Sequence, residues 1–255
     1  MKKYLVSFAT PMFYLRQKEL VKSAKKYGID NICSFNRKHI SKDFFNENKE
    51  ILNLKRGAGY WLWKPYFILK CLEKMDEGDA LIYLDSDHVI TNKLDNLINL
   101  CKKNKGVLLF KREQINKNWT KRDCFILMKS DSKKYWEAEQ VQAGFQIYIK
   151  NNFSINFVKK WLDYCKNKLI LTDCPNSLGF PDFPDFREHR HDQSVLSILS
   201  VKHNIKKVSF YESLERGENN RKIILLQKEG ILAKLDRSIG KLGVVLRKLL
   251  KRSKK

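Results

Sequence analysis

The sequence is poor in glycine and proline, with 11 Gly and 5 Pro among 255 residues. These low counts exclude collagen-like chains and flexible linker sequences. No run of 18 or more apolar residues is present, so no segment is typical of a membrane-spanning helix. None of the six cysteines forms a Cys-x-x-Cys pair, and their spacing fits no zinc-binding pattern. We therefore expect reduced, mostly buried thiols in a cytoplasmic protein.

Acidic residues are also scarce, because 28 Asp and Glu face 51 Lys and Arg and leave a net charge of +23. Hydrophobic residues at 43% and aromatic residues at 12% are enough for a packed core, which excludes wholesale disorder. The length of 255 residues suits one α/β domain with a tail, or two small domains. The basic balance favours an anionic partner.

The last 25 residues, 231–255, hold six Lys, three Arg and one Asp, which is +8 of the total charge. Their apolar residues recur at steps of three and four, as on one face of a helix. We interpret this tail as a basic amphipathic helix that anchors the protein to an anionic membrane surface. A helix docked on the protein's own core is the alternative. We place the domain boundary between residues 1–230 and this tail.

Strand and helix patterns alternate through the first 110 residues. Apolar runs predict strands over 4–9, 31–35 and 80–84, and periodic segments predict helices over 17–27 and 63–75. This alternation predicts an α/β fold with a mainly parallel, Rossmann-like central sheet flanked by helices. Further segments are predicted as strands over 106–110, 142–149 and 207–211, and as helices over 94–103, 154–165 and 192–203.

The most informative segment is an apolar strand, 80–84, followed by Asp85, Ser86 and Asp87. Side chains two positions apart on an extended segment point the same way, so both carboxylates are expected to face one spot beyond the strand. Ligands of open α/β sheets bind at this edge, and carboxylate oxygens suit Mg²⁺ or Mn²⁺. Because the two acids repel each other, we also expect a compensating cation nearby. An ordinary solvated turn is the alternative, since Asp-x-Asp is common.

Four segments in order resemble those of GT-A-fold, nucleotide-sugar-dependent glycosyltransferases, including bacterial transferases of capsule and lipopolysaccharide assembly. They are Gly-Ala-Gly-Tyr-Trp-Leu-Trp-Lys-Pro (57–65), Tyr-Leu-Asp-Ser-Asp (83–87), Gln-Ala-Gly-Phe-Gln (142–146) and His-Asp-Gln-Ser (191–194). The resemblance covers roughly residues 1–212 and implies a GT-A fold. It also implies a divalent cation, held by Asp85 and Asp87, on the diphosphate of a UDP- or GDP-sugar. A histidine that many relatives use as a third metal ligand near the C-terminus has no counterpart here.

The aromatic segment 57–65 supplies further candidates for donor binding. Tyr60, Trp61 or Trp63 could stack on a base or sugar ring, and Lys64 near a helix start could meet phosphate. The alternative for Trp61 and Trp63 is a role as core anchors. Thr10 and Ser86 are further expected donor contacts, as are Arg221 and Lys222 in a polar segment expected to close over the diphosphate.

Two later segments supply candidates for the sugar and the acceptor. Ala143 and Gly144 are small and could leave room for a sugar, and Gln146 could bind its hydroxyls. Packing of a helix over a small residue is the alternative. Asp192 is expected either to cap the following helix or to act as general base on the acceptor hydroxyl, and the two roles are compatible.

We therefore expect a metal-dependent glycosyltransferase, peripheral on the inner face of the plasma membrane. It would move a sugar from a nucleotide donor to a glycan or lipid-linked acceptor in bacterial surface polysaccharide assembly. Three alternatives stay open: a nucleic-acid-binding protein, a metal-dependent phosphotransferase or nuclease that uses the same aspartates, and a catalytically silent relative. No helix-turn-helix, zinc-finger or RNA-recognition pattern supports the first, so no nucleic-acid partner is expected.

Overall fold

The computed structural model describes residues 1–209 and the short strand at 224–226. Its strands are β1 (Lys3–Phe8), β2 (Asn31–Phe35), β3 (Ala80–Leu84), β4 (His88–Ile90), β5 (Val107–Ile115), β6 (Glu139–Ile149), β7 (Val208–Ser209) and β8 (Ile224–Leu226). Six of them form the central sheet in the order β2-β1-β3-β6-β5-β7, and β4 and β8 pair in a separate antiparallel sheet. The expected tail, 231–255, the boundary near residue 230, and Arg221 and Lys222 all lie outside the described residues.

The central sheet is mainly parallel. Strand β1 runs parallel to both β2 and β3, and β7 runs parallel to β5. Strand β6 is antiparallel to both of its neighbours, β3 and β5. The predicted fold class is therefore confirmed. Of the six described strands in the central sheet, only β6 runs in the opposite direction. The reversal brings the middle of β6 beside the carboxyl end of β3, where the acidic pair begins.

Helices and short helical turns connect the strands. They are α1 (Tyr14–Lys26), α2 (Lys42–Glu47), α3 (Lys49–Leu52), α4 (Gly57–Tyr60), α5 (Trp63–Leu72), α6 (Asp95–Lys103), α7 (Asn116–Trp119), α8 (Arg122–Leu127), α9 (Lys133–Trp136), α10 (Asn152–Cys165), α11 (Lys168–Leu171) and α12 (Asp192–Lys202), with 3₁₀ turns at Pro11–Phe13 and Arg37–His39. Pro65 lies in the first turn of α5, where its missing N–H costs no hydrogen bond. Among the described helices, none has both the length and the apolar character needed to cross a bilayer.

The core lies in two layers, one on each face of the sheet. Along β3, Leu81 and Tyr83 face the layer that contains α5, α10 and α12. Ala80, Ile82 and Leu84 face the layer formed with α1 and α6. Because both faces are covered, all five residues of β3 are buried, as the continuous apolar run predicts. This burial fixes the position at which the chain leaves the core.

Two parts of the fold differ from the sequence-based expectation. Strands β5 and β6 are longer than predicted, since β5 continues to Ile115 through register shifts and β6 begins at Glu139. These extensions carry polar residues that interrupt the apolar pattern. The small sheet of β4 and β8 was also missed, because each strand has three residues and its partner is far away in sequence.

Candidate functional site

Asp85 and Asp87 follow β3 and line a cleft of about 580 Å³. Their side chains are 36% and 39% exposed. The backbone N–H of Asp85 donates to the carbonyl of Gly144 at 3.0 Å, which extends the pairing of β3 with β6 by one residue. The carboxylates therefore follow a fully buried strand and line an open space. The cleft is lined by Phe8, Thr10, Pro11, Met12, Phe13, Lys55, Gly57, Ala58, Trp61, Trp63, Asp85, Ser86 and Asp87.

Asp85 is held by three neighbours. The hydroxyl of Tyr83 donates to Asp85 Oδ1 at 2.5 Å, and Lys64 Nζ lies 3.5 Å from the same oxygen. A Cβ on Gly144 would lie 2.7 Å from Asp85 Oδ2. The space at Gly144 is thus occupied by the Asp85 carboxylate, which corrects our expectation that Ala143 and Gly144 leave room for a sugar. Neither residue is among those that line the cleft.

Lys64 is the compensating cation that the acidic pair requires. Its side chain is 3% exposed, and Nζ lies 3.0 Å from Asp192 Oδ2 and 3.4 Å from the carbonyl oxygen of Ala143. Burial lowers the pKa of Lys64, but the carboxylates of Asp192 and Asp85 outweigh burial and raise it above its ordinary value. Lys64 does not line the cleft, so the expected direct contact with phosphate is corrected to an indirect role through Asp85.

Asp192 lies behind Lys64 and is buried. It is the first residue of α12, and His191 occupies the position before the helix, so the expected cap is not formed. Burial raises the pKa of Asp192 to about 6, while Lys64 opposes this shift. Asp192 is not among the residues that line the cleft, and its role as general base stays a prediction.

Gln146 is likewise placed inside the protein. It is fully buried, donates from Nε2 to the carbonyl of Ala143 at 2.8 Å, and accepts from the Tyr148 hydroxyl at 2.5 Å. These contacts contradict the expected binding of sugar hydroxyls. They hold the Ala143 carbonyl, which Lys64 also contacts. Gln146 therefore helps to fix the position of the Lys64 ammonium.

Asp87 has a different partner. His88 is buried, and its Nδ1 lies 3.0 Å from Asp87 Oδ1. Burial lowers the pKa of His88, but the hydrogen bond and charge of Asp87 outweigh burial and raise it. Burial raises the pKa of Asp87, yet its contact with His88 and the charge of Arg16 bring it below the ordinary value. Asp87 therefore stays ionised and can serve as a ligand.

The carboxylate pair fits a Mg²⁺ or Mn²⁺ ion that takes few protein ligands. Lys64, Tyr83 and His88 engage the Oδ1 atoms of the two aspartates, and Oδ2 accepts none of these bonds. Within residues 1–209, no group of three or more His, Cys, Asp or Glu residues is placed to hold a metal. Mg²⁺ sites commonly use one or two carboxylates, several waters and substrate phosphates. The residues present match that donor set.

Gly57, Ala58 and Trp61 also line the cleft, and we name them the turn wall; Asp85, Ser86 and Asp87 form the acidic wall. Residues 57–61 all have left-handed backbone angles, with φ between 50° and 102°. Trp61 is partly exposed at the cleft and stacks on His191 at 5.4 Å between ring centres. Stacking of Trp61 on a ligand stays a prediction.

Trp63 also lines the cleft, but it is packed more tightly than Trp61, and Tyr60 packs inside the protein. Trp63 is buried and stacks on Phe8 at 3.8 Å between ring centres, so the alternative of a core anchor is correct for Trp63. Tyr60 does not line the cleft; its ring meets His191 edge-on and its hydroxyl donates to Asp173 at 2.8 Å. The expected stacking of Tyr60 on a ligand is therefore corrected to a contact within the protein.

The segment after β1 contributes residues that sequence reasoning largely missed. Thr10 was predicted and lines the cleft, but Met12 and Phe13 were not predicted. Their position after the carboxyl end of a parallel strand is the signal that could have found them. Lys55 was also missed, and it brings a cation to the cleft from just before the glycine-containing segment.

Comparisons with known proteins find similarity in structure but not in sequence. No protein-family model matches the chain, and no curated protein matches its sequence. The WbbM bifunctional glycosyltransferase superposes with a TM-score of 0.51 and 11% identity, over 82% of this chain and 38% of WbbM. A glycosyltransferase involved in glycosylation of the major capsid of PBCV-1 aligns over 94% of this chain and 99% of its own, with 11% identity and a TM-score of 0.49. GlyE of Streptococcus pneumoniae TIGR4 aligns over 99% and 64%, with 16% identity and a TM-score of 0.44.

The similarity to WbbM confirms the predicted GT-A-like glycosyltransferase fold. At 11% identity the similarity is one of architecture, and this chain spans 38% of WbbM. The fold places the carboxyl end of the central parallel strands at the cleft, where ligands of such sheets bind. The chemistry at that edge depends on the side chains that lie there.

Proposed function

We propose that this protein is a metal-dependent glycosyltransferase that moves a sugar from a nucleoside-diphosphate donor to a glycan or lipid-linked acceptor. The observation that carries the proposal is the placement of Asp85 and Asp87, which leave a fully buried central strand and line the same cleft of about 580 Å³. Similarity of fold to glycosyltransferase structures supports it. So does the match between the two carboxylates and a cation that binds diphosphate.

In this proposal Asp85 and Asp87 hold Mg²⁺ or Mn²⁺. Such an ion would supply positive charge to stabilise a diphosphate leaving group. Tyr83 and Lys64 fix the orientation of the Asp85 carboxylate. Lys55 adds positive charge at the cleft, and Trp61 offers an aromatic surface to the base or sugar of a UDP- or GDP-donor.

We further propose a place for the protein in bacterial surface polysaccharide assembly, on the inner face of the plasma membrane. The amphipathic pattern and net charge of +8 in residues 231–255 support attraction to an anionic surface. An acceptor linked to lipid would lie at the same surface. The acidic wall disfavours nucleic acid in the cleft, because phosphate without a metal would be repelled.

A thermal-shift panel of UDP- and GDP-sugars with and without Mn²⁺ tests the donor and the metal together. We expect one donor to raise the melting temperature only when Mn²⁺ is present. Asp85→Asn and Asp87→Asn should abolish this shift while the proteins remain folded. Asp131→Asn is a matched control, because Asp131 is a carboxylate paired with Arg122 that does not line the cleft. A shift that survives both cleft substitutions would contradict the proposal.

The same preparation distinguishes the phosphotransferase and nuclease alternatives. A glycosyltransferase should release nucleoside diphosphate and free or transferred sugar from the donor that binds. Release of inorganic phosphate or cleavage of a nucleic-acid strand, with no cleavage of any nucleotide sugar, would contradict sugar transfer. Nucleotide products resolved by ion-exchange chromatography give the readout.

The membrane contact is tested by deleting residues 231–255 and measuring co-sedimentation with phosphatidylglycerol vesicles. We expect the shortened protein to stay in the supernatant and to keep its donor hydrolysis. High salt should release the full chain in the same way, because a surface attraction between charges is screened. Equal vesicle binding by both proteins would contradict a tail anchor.

A further inference from the structure

The turn wall is built from a strained backbone. Five consecutive residues, 57–61, have φ values of 55°, 54°, 102°, 50° and 58°. Ala58, Tyr60 and Trp61 carry side chains, and each such residue disfavours the left-handed conformation about tenfold. Backbone hydrogen bonds within the turn include those from Tyr60 N–H to the Arg56 carbonyl at 2.8 Å and from Trp61 N–H to the Gly57 carbonyl at 3.2 Å. Contacts from elsewhere must hold such a segment in place.

Asp173 supplies two of these contacts from the loop after α11. Its Oδ2 lies 2.9 Å from Arg56 Nη1 and accepts from the Tyr60 hydroxyl at 2.8 Å. Arg56 precedes the left-handed residues and Tyr60 is among the last of them. One carboxylate therefore binds the turn near both ends, across more than a hundred positions of sequence.

His191 completes the support beneath the aromatic rings. Trp61 stacks on it with an angle of 16° between ring planes, and Tyr60 meets it edge-on at 4.9 Å. His191 Nδ1 is fixed by the carbonyl of Leu171 at 2.9 Å, and Nε2 lies 3.7 Å from Asp173 Oδ1. The Asp173 carboxylate thus also contacts the residue on which Trp61 rests.

We propose that Asp173 is a positioning residue, which latches the left-handed turn so that Gly57, Ala58 and Trp61 line the same cleft as Asp85 and Asp87. Asp173 does not line the cleft, so it acts through Arg56, Tyr60 and His191. The part of this inference that concerns donor affinity rests on the proposed function. Without the latch, the strained turn relaxes and the donor loses one side of its site.

Hydrogen exchange of the full chain, followed by mass spectrometry, tests the latch in the absence of any ligand. Asp173→Ala should speed exchange in a peptide spanning 56–64 by about tenfold. The reason is that the substitution removes the contacts of Asp173 with Arg56 and with Tyr60, near the two ends of the strained turn. Asp173→Asn should have a smaller effect, because its amide oxygen still accepts from Tyr60. Peptides that cover β3 should be unchanged.

Asp131→Asn is the matched control for exchange. Asp131 also binds an arginine and an aromatic donor, with Arg122 Nε at 2.9 Å and Trp136 Nε1 at 2.9 Å, but it does not line the cleft. It should leave the 56–64 peptide unchanged. Unchanged exchange of this peptide in Asp173→Ala would overturn the latch, whatever the protein catalyses.

Kinetics with the donor identified by thermal shift test the positioning role. Asp173→Ala should raise KM for the donor about tenfold and change kcat by no more than about threefold, because the wall contributes to binding. A fall in kcat with an unchanged KM would overturn the positioning role. If no nucleotide sugar binds the wild-type protein, the proposed function fails, and the exchange experiment alone decides whether the latch exists.

Discussion

The two walls of the cleft are built in different ways. The acidic wall continues directly from β3, and Tyr83 of the same strand fixes Asp85. The turn wall has unfavourable backbone angles and depends on Asp173 and His191, which are more than a hundred residues away. Local sequence therefore specifies the first wall, while tertiary contacts specify the second.

The walls also differ in how their charges are placed. Behind the acidic wall, one buried ammonium, Lys64, is shared by Asp85 and Asp192. Behind the turn wall, the ion pair of Arg56 with Asp173 is partly exposed. Breaking a buried pair leaves an uncompensated charge, whereas exposed pairs contribute little. We expect substitutions behind the acidic wall to cost more stability.

The largest effect is expected for Lys64→Met. The substitution leaves Asp192 buried beside Asp85 without a cation, and should lower the free energy of unfolding by about 3–5 kcal/mol. Urea denaturation followed by tryptophan fluorescence measures the loss. Lys74→Met, at an exposed residue soon after the same helix, is the control and should change stability by no more than about 0.5 kcal/mol. A loss below about 1 kcal/mol for Lys64→Met would contradict its role as the compensating cation.

Acid should change the free energy of unfolding in opposite directions through two buried groups, His191 behind the turn wall and Asp192 behind the acidic wall. Burial lowers the pKa of His191 to about 4, so protonation of the unfolded chain removes stability as pH falls from about 6.5 to 4. Burial raises the pKa of Asp192 to about 6 from an ordinary 3.8, so Asp192 adds stability over most of the same fall in pH. Each contribution amounts to about 3 kcal/mol across the window.

Variants separate these two contributions. His191→Gln should make stability less sensitive to acid, and Asp192→Asn should make it more sensitive, because each removes one of the opposing titrations. The free energy of unfolding, measured by urea denaturation across this pH range, gives the comparison. Profiles that run parallel to that of the wild type would show that neither group titrates as its burial predicts.

A smaller effect is expected where the acidic wall meets β6. In Gly144→Ala, the new Cβ would lie 2.7 Å from Asp85 Oδ2 and 3.1 Å from Gln142 Nε2. We expect a loss of about 2 kcal/mol from overpacking. Combining it with Asp85→Ala removes the nearest clashing atoms, so a double-mutant cycle should show coupling between the two positions. Additive losses would mean that Asp85 is not the residue displaced.

The acidic wall was largely predictable because its information is local. Five apolar residues followed by acids at 85 and 87 specify a buried strand, a shared direction and a place at the sheet edge. The need for a cation also followed from charge repulsion. The burial of that cation, Lys64, could not be predicted, because its position depends on α5 packing across β3 and on contacts with Ala143 and Asp192.

The turn wall was only partly predictable. Gly57 and Gly59 indicate unusual backbone angles, but Ala58, Tyr60 and Trp61 give no local signal for them. Asp173 and His191 lie in a loop whose fold is set by side-chain contacts across the chain. The sequence predicted Asp192 and Gln146 at the ligand because their segments resemble those of a family. In the structure both side chains are buried, behind the acidic wall.

The smallest effect is expected for Tyr60→Phe, which keeps the aromatic ring against His191 and removes one hydrogen bond to Asp173. The loss should be about 1 kcal/mol, since Asp173 is partly exposed and water can replace the hydroxyl. Urea denaturation gives the value, and Tyr66→Phe is the control, because its hydroxyl donates to Ser41 and neither residue lines the cleft. A Tyr60→Phe loss close to that of Lys64→Met would mean that contacts behind the two walls contribute equally to stability. That result would contradict the contrast between the walls.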